Sequence, residues 1–162
     1  MASEHLATYL NDHLAGAVAA LDLMEHLEKA YTDPVMSRFF AELRADVEAD
    51  RRTLESLMDR LRIGRSTPRR ATAWLAERVT QIKLRLDDPA GGALRLLEGL
   101  DALGVGIHGK LALWRALGAA AARAPALRTL DYEGLAQRAE EQRQRVEVVR
   151  LNAATAALGG AA

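Results

Sequence analysis

Six polar side chains fall on otherwise apolar faces of four helical segments, and they are the residues best suited to chemistry. They are His13, Asp46, Asp50, Lys110, Arg138 and Gln142. Carboxylates and imidazoles bind metal ions, and a histidine beside a carboxylate transfers protons. Lysine and arginine bring positive charge, which instead neutralises a carboxylate. The chemistry therefore depends on which of these side chains meet.

No complete catalytic site accompanies this set. A His13–Asp50 pair would suit general acid–base chemistry. The sequence supplies no nucleophile or oxyanion site beside that pair. It also contains no cysteine, which excludes disulfides, thiolate metal ligands and a cysteine nucleophile. We therefore expect no catalytic residue, no bound metal and no cofactor, and we favour a protein that is not an enzyme.

Prolines and glycines divide the chain into helical segments, and no strand pattern occurs. Pro34, Pro68 and Pro89 each follow an Asp or Thr, which is typical of an N-cap before the first helical residue. The predicted helices lie near 4–31, 35–62, 69–86, 93–120 and 130–157. The four long helices would each measure roughly 40 Å. The sequence predicts one all-α domain over residues 1–162, with a disordered tail at 159–162.

The connections between the helices predict their neighbours. About three residues join the first two helices, which must then be antiparallel partners. A loop of roughly nine residues joins the last two, which we expect to pair as well. The shorter third helix would link the two hairpins as a crossover along an antiparallel bundle of four long helices. Five helices packed simply up and down is the alternative.

Two long hairpins linked by a crossover resemble the ferritin-like proteins, in helix lengths and connections over most of the chain. Di-metal members of that family carry a Glu on each of two helices and Glu-x-x-His on each of the other two. Three positions before the four histidines stand Ala2, Leu10, Leu23 and Val105. The resemblance therefore implies a ferritin-like up-down fold, and it transfers no metal ligand to this chain.

Helix register places the six polar residues at similar heights. Counted from the first turn, Asp50 is level with His13. If a crossover brings in the fourth helix at the same end, Asp50 is also level with Lys110, and Arg138 and Gln142 fall nearby. Buried carboxylates are tolerated only when paired and hydrogen-bonded. We therefore predict one polar layer in mid-bundle, Asp46 included, whose charges neutralise one another and leave no vacancy for an ion.

The fourth predicted helix is apolar over most of its circumference, which is typical of a central helix. A strip of small residues runs along it, comprising Gly99, Ala102, Gly106 and Gly109. Each glycine weakens a helix by about 1 kcal/mol relative to alanine. The Gly-x-Gly-x-x-Gly pattern at 104–109 follows no strand, so we expect no dinucleotide site. We predict close packing along the strip, with deformability or a cavity near Gly106 as alternatives.

The overall charge favours neither nucleic acid nor a membrane as a partner. The 22 basic and 22 acidic residues give a formal net charge of zero. Five arginines lie within residues 60–70, where a helix C-terminus favours positive charge without any ligand. No apolar run approaches membrane-span length, and no signal-peptide pattern opens the chain. We expect a cytoplasmic protein of unknown partner, with a homo-oligomer as one option, and the arginine bias suggests a bacterial source.

Three functions remain open at this point. The preferred one is a non-catalytic helical bundle with a structural or interaction role, in which the polar layer replaces a di-metal centre. The second is a ferritin-like metal-binding or oxidative-stress protein with an altered site using His13, Asp46 and Asp50. The third is a small-molecule binder whose pocket opens around the glycine strip. Metal in the purified protein would favour the second function, and a cavity near Gly106 would favour the third.

Overall fold

Four long helices form most of the chain in the computed structural model, which describes residues 3–66, 77, 79–82 and 92–159. They are α1 (Glu4–Ala30), α2 (Pro34–Arg60), α3 (Gly92–Ala121) and α4 (Tyr132–Leu158), with a 3-10 turn at Pro125–Leu127. Residues 77 and 79–82 are also helical. The rest of the predicted helix 69–86 and residues 160–162 lie outside the described residues. The described part contains no strand, so the predicted all-α bundle is confirmed.

Polar N-caps start three of the four helices. The Ser3 hydroxyl accepts a hydrogen bond of 3.2 Å from a backbone N–H of the first turn of α1. The carboxylates of Asp33 and Asp131 do the same for α2 and α4, at 3.0 and 2.9 Å. Each oxygen satisfies an N–H group that has no partner inside its helix. Pro34 follows Asp33 at the first helical position, where its missing N–H costs nothing.

Contacts at the two ends of the bundle decide the topology. At one end, the Tyr31 hydroxyl after α1 donates a hydrogen bond of 2.7 Å to the Gly92 carbonyl, where α3 begins. At the other end, the Asn11 amide of α1 donates to the Gly64 carbonyl at 3.1 Å, just after α2. The chain therefore leaves α2 and enters α3 at opposite ends. As a result α2 and α3 are parallel, which is the crossover arrangement of two hairpins.

The core divides into two clusters along the bundle. One contains Leu27 and Phe40, near the turn between α1 and α2. The other contains Leu57 and Trp114, toward the opposite end. Between them, at mid-height, α2, α3 and α4 carry polar side chains at residues 50, 110 and 142, and α1 carries small residues. None of the described helices combines the length and apolarity that crossing a bilayer requires.

Candidate functional site

Asp50 lies at the centre of the polar level between the two core clusters. It is only 2% exposed. Its carboxylate accepts hydrogen bonds from Lys110 Nζ at 2.6 Å and from Gln142 Nε2 at 3.0 Å, and a third from the Arg138 guanidinium. Both oxygens therefore have partners, two of which are cationic. Charge-assisted bonds of this kind are what allow a carboxylate to be buried.

Lys110 and Gln142 complete the cluster. The buried Gln142 amide donates to Asp50 through Nε2 and accepts from Lys110 through Oε1. The Lys110 side chain is 13% exposed. Burial lowers the pKa of Lys110, and the attraction of Asp50 opposes that shift. Asp50, Lys110, Arg138 and Gln142 thus form one hydrogen-bonded unit across α2, α3 and α4, which we call the polar cluster.

Asp46 lies at the surface, outside the polar cluster. Its side chain is 40% exposed and forms an ion pair with the similarly exposed Arg145 of α4. Residues four apart on a helix differ by about 40° in direction, and this offset is enough for Asp50 to face the core while Asp46 lies at its edge. The predicted polar layer is corrected here, because Asp46 has its own partner at the edge of the bundle.

His13 also lies apart from the polar cluster and belongs to α1. Its ring packs edge-on against Tyr9, with ring centroids 4.6 Å apart, and its nitrogens bond to none of the described residues. Burial lowers the pKa of His13, which the charge of Asp12 partly opposes. Burial therefore favours the uncharged imidazole, which has one donor and one acceptor nitrogen.

A cavity of about 390 Å³ opens between α1, α2 and α3, beside the polar cluster. Its wall is mainly apolar, and includes Met24, Val47, Leu54, Leu103, Ile107 and Trp114. The polar side chains of His13, Asp50 and Lys110 reach the same space. The volume is within the range of roughly 300–1,000 Å³ that is typical of small-molecule pockets. A mostly apolar wall with a few polar groups is also typical of such sites.

Small residues on two facing helices widen this cavity. They are Gly16, Ala17 and Ala20 on α1, and Gly106 and Gly109 on α3. The small residues on α3 belong to the predicted strip, whereas a matching strip on α1 was not predicted. The sequence of α1 does contain such a strip, because the small residues 16, 17 and 20 lie on one helix face at spacings of three and four.

The glycine strip of α3 has two parts with different packing. A Cβ on Gly99 would lie 2.9 Å from Leu27, so this glycine permits a close approach. Ala102 is buried in the same core cluster as Leu27. A Cβ on Gly106 would meet one neighbour at 4.0 Å, and a Cβ on Gly109 would meet no atom within 4 Å. The strip therefore packs closely at one end and borders open space at the other.

The described residues do not fit a metal centre. In that part of the chain, no three side chains of His, Cys, Asp or Glu come together. The Asp50 oxygens accept bonds from an ammonium, a guanidinium and an amide. These donors occupy the directions from which a metal ion would bind, and two of them carry the positive charge that it would bring. The described residues around Asp50 therefore do not provide the ligand set of a ferritin-like di-metal centre.

Comparisons with known proteins bear on the fold. No protein-family model matches the chain, and no curated protein matches it. Among solved structures, the crystal structure of the E. coli stress protein YciF is similar, with a TM-score of 0.58 and 13% sequence identity. The alignment covers 98% of this chain and 97% of that one. The likeness therefore extends over the whole bundle and concerns its fold.

Proposed function

We propose that this chain is a non-catalytic binding protein, which holds one small and mostly apolar molecule in the cavity between α1, α2 and α3. The observation that carries the proposal is the environment of Gly109. It lies inside a central helix and lines the cavity, and beyond its chain neighbours and the backbone of its own helix no atom lies within 4 Å of the position its Cβ would take. A helical glycine costs about 1 kcal/mol relative to alanine, and here no close contact offsets that cost. We infer that the open space is what this glycine provides.

In this proposal the polar cluster has a structural role, because it holds the helices beside the cavity in place. Asp50 joins α2 to both α3 and α4 through Lys110 and Gln142, and buried pairs of this kind favour one helix register over others. In this proposal the cluster replaces the inward-facing di-metal ligands that ferritin-like bundles carry. Among the described residues that line the cavity, none is a serine, threonine or cysteine, and Lys110 is bonded to Asp50 and Gln142. Both features favour binding over chemistry.

Binding of 2-ethylnaphthalene, an apolar probe with two fused rings, tests this function. The wild-type protein should bind one equivalent and should unfold at a higher temperature with the probe, because a ligand that binds only the folded state stabilises it. Gly109→Leu should fill the cavity and weaken binding at least about tenfold, which is roughly the effect of losing one buried side-chain contact. Calorimetric titration measures the binding, and circular dichroism checks that the variant folds.

Gly104→Leu is the matched control. Gly104 lies in the same helix and also has no atom within 4 Å of its Cβ position, yet it does not line the cavity. Both substitutions replace a glycine with a better helix former. The control should bind the probe as the wild type does. Absence of binding by the wild type, or equal binding by the wild type and Gly109→Leu, overturns the proposed function.

A further inference from the structure

We infer that the ligand of the cavity is an uncharged molecule with a carbonyl or ether oxygen on an apolar body, and that Lys110 donates a hydrogen bond to this oxygen. The inference rests on the proposed function and names the chemical class of its ligand. It starts from the position of Lys110, which belongs to the polar cluster and also lines the cavity.

Lys110 retains hydrogen-bonding capacity beyond the polar cluster. Both oxygens of Asp50 already accept bonds, and Gln142 uses both ends of its amide within the polar cluster. An ammonium group has three N–H donors. Within the described part of the chain, Lys110 uses two of them, toward Asp50 and Gln142. An acceptor on the ligand would complement the third.

The charges that line the cavity favour an uncharged ligand. Asp12 and Asp50 are balanced by Arg51 and Lys110, so the lining side chains sum to zero. An anion bound to Lys110 would lie about 4–5 Å from the Asp50 carboxylate, as normal bond lengths require. Repulsion and lost hydration would then oppose binding. The further charge of Arg138 is 42% exposed and screened by water.

The rest of the cavity wall is mainly apolar and therefore favours a ligand with an apolar body. Leu54, Leu103, Ile107 and Trp114 supply much of the surface. Burial lowers the pKa of His13, which favours its uncharged form over a further cation beside Arg51 and Lys110. The volume of about 390 Å³ is two to three times that of an engineered cavity of ~150 Å³ that binds benzene. A body of two fused rings therefore suits the space.

Three matched naphthalenes test the class of ligand. They are 2-acetylnaphthalene, which carries a carbonyl, 2-ethylnaphthalene, which carries no acceptor, and 2-naphthoate, which carries a negative charge. The wild-type protein should bind 2-acetylnaphthalene about tenfold more tightly than 2-ethylnaphthalene, as a hydrogen bond from a charged donor predicts. It should bind 2-naphthoate most weakly. Calorimetric titration at one pH and one salt concentration gives the three affinities.

Two variants at Lys110 isolate the proposed bond. Lys110→Met removes the donor and keeps an apolar stem, so 2-acetylnaphthalene and 2-ethylnaphthalene should bind equally. Lys110→Gln keeps a neutral N–H donor and should retain part of the preference. If Lys110→Met fails to fold, the wild-type probe series and Lys110→Gln decide the question.

The outcomes separate the inference from the function on which it rests. Equal wild-type binding of the acetyl and ethyl probes overturns the inference alone, as does a preference that persists in Lys110→Met. Tightest binding of 2-naphthoate overturns it too, because the ligand would then be an anion. Failure of 2-ethylnaphthalene to bind the wild-type protein overturns the proposed function, and the inference falls with it.

Discussion

Asp50→Ala is expected to be strongly destabilising, because it leaves a buried cation without its counter-charge. The Asp50 carboxylate is buried and bonds to the Lys110 ammonium at 2.6 Å. Without it, Lys110 remains among apolar side chains beside Arg138, whose charge already disfavours its protonated form. Breaking a buried pair in this way costs about 3–5 kcal/mol. That is a large part of the roughly 5–15 kcal/mol that stabilises a typical domain.

Asp46→Ala provides the matched comparison, since it removes the same residue type one turn earlier on α2. Asp46 pairs with Arg145 at the surface, and exposed pairs contribute only about 0–1 kcal/mol. Urea titrations followed by circular dichroism give the free energies of unfolding. Asp50→Ala should lower that free energy by at least about 2 kcal/mol more than Asp46→Ala does. Equal losses in the two variants would refute the claim that the polar cluster neutralises buried charge.

Two further predictions concern α3 and the wall of α1. Gly109→Ala should raise the free energy of unfolding by about 0.5–1 kcal/mol, because alanine is the better helix former and no atom is near. Gly99→Ala should lower it by about 1 kcal/mol or more, because the new Cβ would lie 2.9 Å from Leu27 in the packed core. Burial lowers the pKa of His13 below its unfolded value of 6.5, so the stability present above pH 6.5 should be lost as the pH falls through the folded pKa. Urea midpoints at about pH 7.5 and about pH 5 should differ less in His13→Gln than in the wild type, whereas His5→Gln, at an exposed residue, should behave as the wild type.

The helices were largely predictable because their signals are local. Asp33 before Pro34 caps the first turn of α2, as the sequence indicates. The choice between a crossover and a simple up-and-down bundle was not local. It depends on which end of the bundle receives the start of α3, and the contact between Tyr31 and Gly92 shows that end.

The polar cluster could be predicted to the extent that contact depends on how far along its helix each residue lies. Lys110 and Gln142 are level because a short connection joins α3 to α4, and Asp50 joins them because α2 and α3 begin at the same end of the bundle. Heights alone do not give the rotation of each helix about its axis. For that reason Asp46 and His13 were assigned to the same layer, although Asp46 faces the surface and His13 faces the cavity.

The cavity could not be derived from the glycine strip alone. Gly99 and Gly109 have the same residue type on the same helix, and a glycine gives equal access to a neighbour or to empty space. The difference arises from α1, which places Leu27 against Gly99, whereas its small residues Gly16, Ala17 and Ala20 border the cavity that Gly109 lines. Whether small residues face one another depends on helix register, which the sequence of α3 does not contain.

The central claim is that the small residues of α1 and α3 maintain an open apolar site. Diffraction from crystals pressurised with xenon tests this claim most directly. Xenon enters dry apolar cavities without needing any polar contact. The wild-type protein should show an ordered xenon atom between α1, α2 and α3 beside Gly109, and Gly109→Leu should show none there. Wild-type crystals with no xenon at this position, and with Leu54 or Trp114 filling the space, would contradict the central claim.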